Sequence, residues 1–180
     1  MRTLNAGDLV LEPQTVAHAA YMFALLSDPA LYRYLDSGPP IDAGWLAARF
    51  EKLESRRSAD GVQQWLNWVI RSPQAGLVGF VQATVYPDAS ANIAYVLGSA
   101  FWGRGWASRA TRAMLDELAE QDGVVRAFAT VDQRNLASIK LLTRLGFEMI
   151  DSRRHPHHEV AEGDWLFLRE PLRQAETASR

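Results

Sequence analysis

The sequence predicts a mixed α+β fold, a mostly antiparallel sheet of six to seven strands with helices flanking its faces. Three observations predict it. Strand-like runs separated by turn-forming clusters occupy the middle of the chain, as in an antiparallel meander. After them the pattern changes to helix, strand, helix, strand and a closing strand. The chain has 180 residues, 48% hydrophobic and 22% charged, which suits one folded domain over residues 1–172 with a polar tail over 173–180.

The elements follow in order. Leu9 to Pro13 reads as a short strand, and Val16 to Leu26 as a helix stopped near Asp28-Pro29. Leu31 to Leu35, followed by Gly38-Pro39-Pro40, reads as an irregular lid. Asp42 can cap a second helix, which sets Trp45, Leu46, Arg49, Phe50 and Leu53 on one face. The meander strands are Trp65 to Arg71, Leu77 to Tyr86 and Asn92 to Leu97. Trp65 and Trp68 differ by three positions and so face opposite sides of their strand; one of them, with Tyr34 and Leu35, is expected to wall an acceptor site. Trp106 to Glu120 is a helix with Ala107, Ala110, Met114 and Leu118 on one face. Val124 to Val131 is a strand, and Leu136 to Leu145 a helix closed by Gly146 in a left-handed cap. Phe147 to Asp151 and Trp165 to Leu168 are the last strands, joined by a long polar connection.

Composition excludes several functions. A net charge of -2 gives no basic stripe for displacing counterions from nucleic acid, so no nucleic-acid partner is expected. With no cysteine there is no disulfide, no thiolate metal site and no cysteinyl nucleophile. The amino terminus lacks a signal-like apolar stretch, and no run approaches the ~18 apolar residues of a membrane span. A soluble, cytoplasmic protein without a membrane partner is expected. His155-Pro156-His157-His158-Glu159 holds zinc-ligand residue types, but a proline-interrupted polar loop does not fix ligand geometry, and no metal is expected. The loop is read as substrate-facing, with histidine available to titrate.

The chemistry lies in Trp102-Gly103-Arg104-Gly105-Trp106-Ala107-Ser108, between the apolar strand ending at Leu97 and the helix from Trp106. Gly103 and Gly105 allow a tight turn and close approach of a ligand to the backbone. The helix start contributes free N–H groups and the positive end of its dipole, a site for a diphosphate. Arg104 and Arg109 can add charge and Ser108 a hydroxyl; Trp106 reads as a packing residue, and Trp102 can be one too. A Walker loop needs Gly-Lys-Ser/Thr, which is absent. A dinucleotide fingerprint needs its third small residue one position later than Ala107, and a series of crossovers rather than a meander before it; Asp132 could stand in for its ribose-binding acid.

These residues resemble the GCN5-related N-acetyltransferases (GNAT), in particular their RimJ/RimL-like branch. The glycine turn is similar to that family's Q/R-x-x-G-x-G/A motif, with Trp102 in the first position, and Asn135-Leu136-Ala137-Ser138 followed by Leu145-Gly146-Phe147 is similar to its second motif. The resemblance spans the chain from Leu9 to the closing strand. It implies acetyl-CoA, or another acyl-CoA, as co-substrate and an amine as acceptor, either a protein amino terminus or a small molecule. It implies a strand pair splayed beyond Val96-Leu97-Gly98, whose backbone pairs with pantetheine. Trp102, Gly103, Arg104, Gly105, Trp106, Ala107 and Ser108 would hold the pyrophosphate, and Asn135 would lie beside pantetheine. Ser138 would lie near the thioester sulfur and take the role of catalytic acid. The backbone N–H of Val96 or Leu97 would stabilise the oxyanion. Homodimers are common in the family.

Two positions depart from that pattern. A glutamate base is common where Asn92 stands, and a tyrosine acid where Leu142 stands. Asn92 can order a water but cannot take a proton at neutral pH. Asp36, Asp88, Asp151 and the following histidines are the alternatives for a base. The lid from Leu31 to Trp45 and the loop from Arg153 to Asp164 would select the acceptor. A non-catalytic acyl-CoA-binding sensor or interaction module is the second reading that these departures leave open.

Overall fold

The computed structural model describes residues 1–35 and 37–172. The predicted tail, 173–180, and Asp36 therefore lie outside the described residues. Eight strands form one sheet: β1 (Leu4–Ala6), β2 (Leu9–Pro13), β3 (Gln64–Ser72), β4 (Gly76–Val85), β5 (Ser90–Leu97), β6 (Arg126–Asp132), β7 (Glu148–Ile150) and β8 (Asp164–Arg169). Their spatial order is β1-β2-β3-β4-β5-β6-β8-β7, with every neighbouring pair antiparallel except β5 and β6. The strand beyond the expected six to seven is β1, whose three residues are too short to show a period of two.

The helices are α1 (Ala19–Leu26), α2 (Ala43–Glu54), α3 (Trp106–Gln121) and α4 (Leu136–Arg144). Asp42 caps α2 by accepting the Trp45 N–H at 2.7 Å, and Leu46 and Phe50, one turn apart, are buried beneath it. The apolar stripe of α3 buries Ala110, Met114 and Leu118 completely, whereas Ala107 at its head is only partly covered.

The sheet carries a core on each face. One packs α3 and α4 against Leu9, Leu11, Trp68, Ile70, Val81 and their neighbours; the other packs α1 and α2 against Val69, Phe80 and Val96. Trp68 is fully buried in the first core, its indole N–H donating to the Arg2 carbonyl at 2.9 Å. Trp65 lies on the opposite face, as the spacing requires, in the row Trp65–Thr84–Asn92–Phe128. Neither tryptophan lines either of the cavities described below, so the expectation that one walls the acceptor site is corrected. Alternation along the strand buries Trp68 in the core, while Trp65 is half-buried beside Lys52 of α2, whose Nζ lies 5.8 Å from its ring. No helix among the described residues is long and apolar enough to cross a membrane.

Candidate active site

The site begins where the single parallel pair comes apart. β5 and β6 pair only at Ser90–Arg126, Ala91–Ala127 and Asn92–Phe128. Beyond these, β5 stays paired to β4 as far as Leu97, and β6 to β8 as far as Asp132. The two strands therefore diverge, and a cleft of about 770 Å³ opens between them. It is lined by Ile93 to Leu97, Trp102 to Ser108, Ala129 to Asp132, and Asn135 and Ser138 on α4.

The ladder decides which backbone groups face this cleft. Ser90 and Gly98 bond across to Tyr86 and Val78, at 2.9 Å each. In an antiparallel ladder bonded pairs alternate, so the even-numbered residues of β5 spend their backbone groups on β4. Ile93, Tyr95 and Leu97 turn theirs toward β6, which is no longer there to receive them. Of the two expected oxyanion donors, Leu97 N–H faces the cleft and Val96 N–H is committed to β4. The Leu97 carbonyl accepts the Trp102 indole N–H at 2.8 Å, which ties the turn back to the strand although the ring is 55% exposed. Gly98 does not line the cleft: its N–H is bonded to Val78, and its Cα faces Leu25 and Phe101.

The turn is built for close approach. Gly103 and Gly105 have φ of 76° and 72°, conformations costly for any other residue, and a Cβ at either would meet nothing within 4 Å. Gly105 is the N-cap of α3, and the first helical bond runs from Arg109 N–H to Gly105 O at 3.2 Å. The N–H groups of Trp106, Ala107 and Ser108 thus have no acceptor within the helix. Trp106 is buried and stacks on Phe101 with centroids 5.7 Å apart, and Arg104 lies over both rings. Arg109 does not join the cleft; it is ion-paired with Asp8. Lys140 and Arg144 of α4 do line it, basic residues one turn apart that the sequence reading passed over.

On the other wall Asn135 does two things at once. It caps α4, accepting the Ser138 N–H at 3.1 Å, and its side of the turn lines the cleft beside Ser138. Leu142 is fully buried in the core and absent from the cleft. A phenol enters from elsewhere: Tyr95 of β5 lines the cleft, and its hydroxyl donates to the Ser138 carbonyl at 3.4 Å. Burial pushes that phenol up to about 12, so it keeps its proton.

The histidine loop is knitted to the closed end of the pair. Buried His155 bonds through Nε2 to Asn92 Oδ1 at 2.8 Å, while its Nδ1 accepts the N–H groups of His157 and His158, each at 3.2 Å. Burial, then His158 and His157, bring it down to about 4, so the ring is neutral with no lone pair to spare. His157 stacks on Tyr86 and bonds to Ser90 Oγ at 2.9 Å. Burial pushes the Asp88 carboxyl up, but the bonds from Ser90, with His157 and Arg126, hold it below its ordinary value. Asp151 is lowered to about 2 by the side-chain and backbone bonds of Arg153. None of these groups lines either cavity, which corrects the expectation of a substrate-facing titrating loop; the loop reaches the cleft through Ala161, Glu162 and Asp164 instead. Among the described residues no group of three or more His, Cys, Asp or Glu is placed to hold a metal ion.

A second cavity, of about 160 Å³, lies on the face of the sheet covered by α1 and α2, and shares Leu31, Leu35 and Val96 with the cleft. A splayed pair, a glycine turn at a helix start and two adjoining cavities define an acyl-CoA-dependent acyltransferase. Residues 8–148 match the family described as "Acetyltransferase (GNAT) domain". An uncharacterized N-acetyltransferase p20 of Bacillus licheniformis is 27% identical over 150 residues, 82% of this chain and 83% of that protein. Among solved structures, RimL, a ribosomal L7/L12 alpha-N-protein acetyltransferase in complex with coenzyme A, superposes with a TM-score of 0.79 at 18% identity, over 94% of this chain and 98% of that one. Mycobacterium smegmatis RimJ in complex with CoA-disulfide gives 0.76 at 21% identity, over 93% and 85%. The chain belongs to the GNAT acetyltransferase family and shares the fold of RimL and RimJ.

Proposed function

We propose that residues 1–172 act as one domain that transfers an acetyl group from acetyl-CoA to a primary amine, on a protein amino terminus or a small molecule, by direct attack in a ternary complex. The observation that carries this is the half-open β5–β6 pair beside the glycine turn. The free edge of β5 fits an extended pantetheine arm, which can pair with it as an added strand. The N–H groups at the start of α3, with Arg104, fit a diphosphate, and Lys140 and Arg144 add positive charge to the same cleft. When bound, acetyl-CoA supplies the acetyl thioester.

In the reaction the neutral amine forms a bond to the acetyl carbon, the carbon–sulfur bond breaks, and the proton lost by the amine balances the thiol released. In this reading the Leu97 N–H, which faces the cleft, receives the developing negative charge on oxygen. Two hydroxyls, of Ser138 and Tyr95, are the proton donors on the sulfur side. Asn92, bonded to His155, cannot take the proton, which leaves a water relay or a carboxylate lining the cleft, such as Glu162, to carry it. That same arrangement is what favours the second reading, a non-catalytic acyl-CoA-binding module. Thiol release from acetyl-CoA, measured against amines and peptides beside calorimetric acetyl-CoA binding, separates the two. Binding without turnover of any acceptor refutes the enzyme; turnover refutes the module. Cytoplasmic action and a homodimer belong to this proposal, and light scattering tests the second.

A further inference from the structure

The smaller cavity has a chemistry of its own. Its walls are largely apolar and aromatic, with Tyr32, Trp45, Phe50 and Phe80 among them. Its charged lining residue is Arg49, whose guanidinium lies 5.9 Å from the Trp45 ring. Among the described residues no carboxylate lines the cavity, and Arg49 has no ion-pair partner. Gln14 also lines it, at the end of β2, and is 5% exposed. Its main-chain N–H is bonded to the Asn67 carbonyl at 2.9 Å, but its side-chain Nε2 is buried with no partner among the described residues. A buried amide donor left unpaired is costly to the fold and is retained where something else pairs with it. The Gln82 amide adds a further donor from β4. The Tyr32 hydroxyl does not compete, being bonded to the Leu26 carbonyl at 2.8 Å.

We infer that this cavity is the carboxylate subsite of the acceptor, so that the amine acetylated in the adjoining cleft belongs to a small amino-acid-like molecule. An exposed cation beside the cavity and two amide side chains in its largely apolar wall match a carboxylate, and the cation repels an ammonium group. The carboxylate sits with Arg49 and Gln14, and the amine end points past Val96, the wall common to both cavities, into the cleft. In a peptide the first residue's α-carboxyl is taken up in the peptide bond, so an amino terminus offers no α-carboxylate there. The inference rests on the acetyltransferase reading.

The test is steady-state thiol release with free α-, β- and γ-amino acids, each beside its carboxamide and its decarboxylated amine, together with acetylation of capped peptides. At least one amino acid is turned over with a KM about tenfold to a hundredfold below that of its carboxamide, the range of one charge-assisted bond. Arg49→Met raises the amino-acid KM by that factor and leaves the KM for the carboxamide and for acetyl-CoA unchanged. Gln14→Leu raises the amino-acid KM too, and the melting temperature does not fall, because an unpaired amide has been replaced by an apolar group of similar size. Carboxamides, decarboxylated amines or peptides used as well as the acids, with no effect of Arg49→Met, overturn this inference and leave the enzyme standing. Acetyl-CoA binding with no acceptor turned over overturns both.

Discussion

Gly79 lets β4 and β5 close up against each other beside the cleft. It stands on β4 opposite Leu97, where β5 ends. A Cβ at this position would lie 2.1 Å from the Val96 carbonyl oxygen and 2.9 Å from the Leu97 Cα, both backbone atoms that no rotamer can move. To reach van der Waals contact, β4 and β5 must separate by about 1 Å, on an inter-strand spacing of about 4.8 Å. That separation stretches the Gly98 N–H to Val78 O bond, now 2.9 Å, beyond bonding distance. The cost of Gly79→Ala is roughly 1–3 kcal/mol for overpacking and about 1 kcal/mol for each ladder bond lost, or about 3 kcal/mol in all. For a chain of this length the melting temperature then falls by roughly 6–12 °C. Urea unfolding followed by circular dichroism measures it, with Gly38→Ala as control, since a Cβ there meets nothing within 4 Å and the change stays within about 0.5 kcal/mol. A loss below about 1 kcal/mol for Gly79→Ala would show that the strands yield freely, and the reading of this β4–β5 contact as too close for a Cβ would be wrong.

Three further outcomes follow from the site. Gly105→Ala lowers stability by only about 1 kcal/mol, the cost of alanine in a left-handed conformation, but weakens acetyl-CoA binding at least tenfold in calorimetry because its methyl fills the open side of the turn. Equal affinity for the variant and the parent would place the diphosphate elsewhere. Tyr95→Phe and Ser138→Ala each lower kcat by about tenfold or more with acetyl-CoA affinity retained if their hydroxyls protonate sulfur, and single-turnover measurements identify which one matters; no loss in either would mean that the thiolate leaves unaided. Stability declines as pH drops from about 6.5 toward 4, because His155 is neutral in the fold at pKa about 4 whereas the unfolded chain takes up the proton near 6.5. Above that window its contribution is fully present. His158, lowered by burial and by His157, acts in the same direction, while Asp132 and Asp151, at about 2, lose theirs only below about pH 4. His155→Gln flattens the upper slope in urea midpoints measured between pH 7.5 and 4.5, and an unchanged slope would remove His155 as its source.

What could be read from the chain alone divides along a physical line. Local signals were legible: the Asp42 cap, the α3 stripe, the glycine turn and the Asn135 cap each depend on residues within about a turn of one another. The positions of groups that meet across the sheet were not. Asn92 stands where the resemblance expects a base, yet the partner it bonds, His155, stands 63 residues later in a loop without periodicity. The same distance hid Tyr95: its strand position gave its face, but only the pairing of β5 with β6 over three residues shows that this face opens on a cleft. The smaller cavity is the extreme case, because Gln14, Arg49 and Gln82 come from three elements and share no spacing. Gln14 in particular reads as an ordinary polar residue after a strand; only its burial with an unpaired amide gives it a claim on a ligand. Cofactor chemistry in this protein is therefore encoded locally, in one turn and one cap, whereas the choice of acceptor is encoded in contacts between α2, β2 and β4 that no local pattern records. A change of acceptor needs only substitutions at those three elements, and the glycine turn can stay as it is.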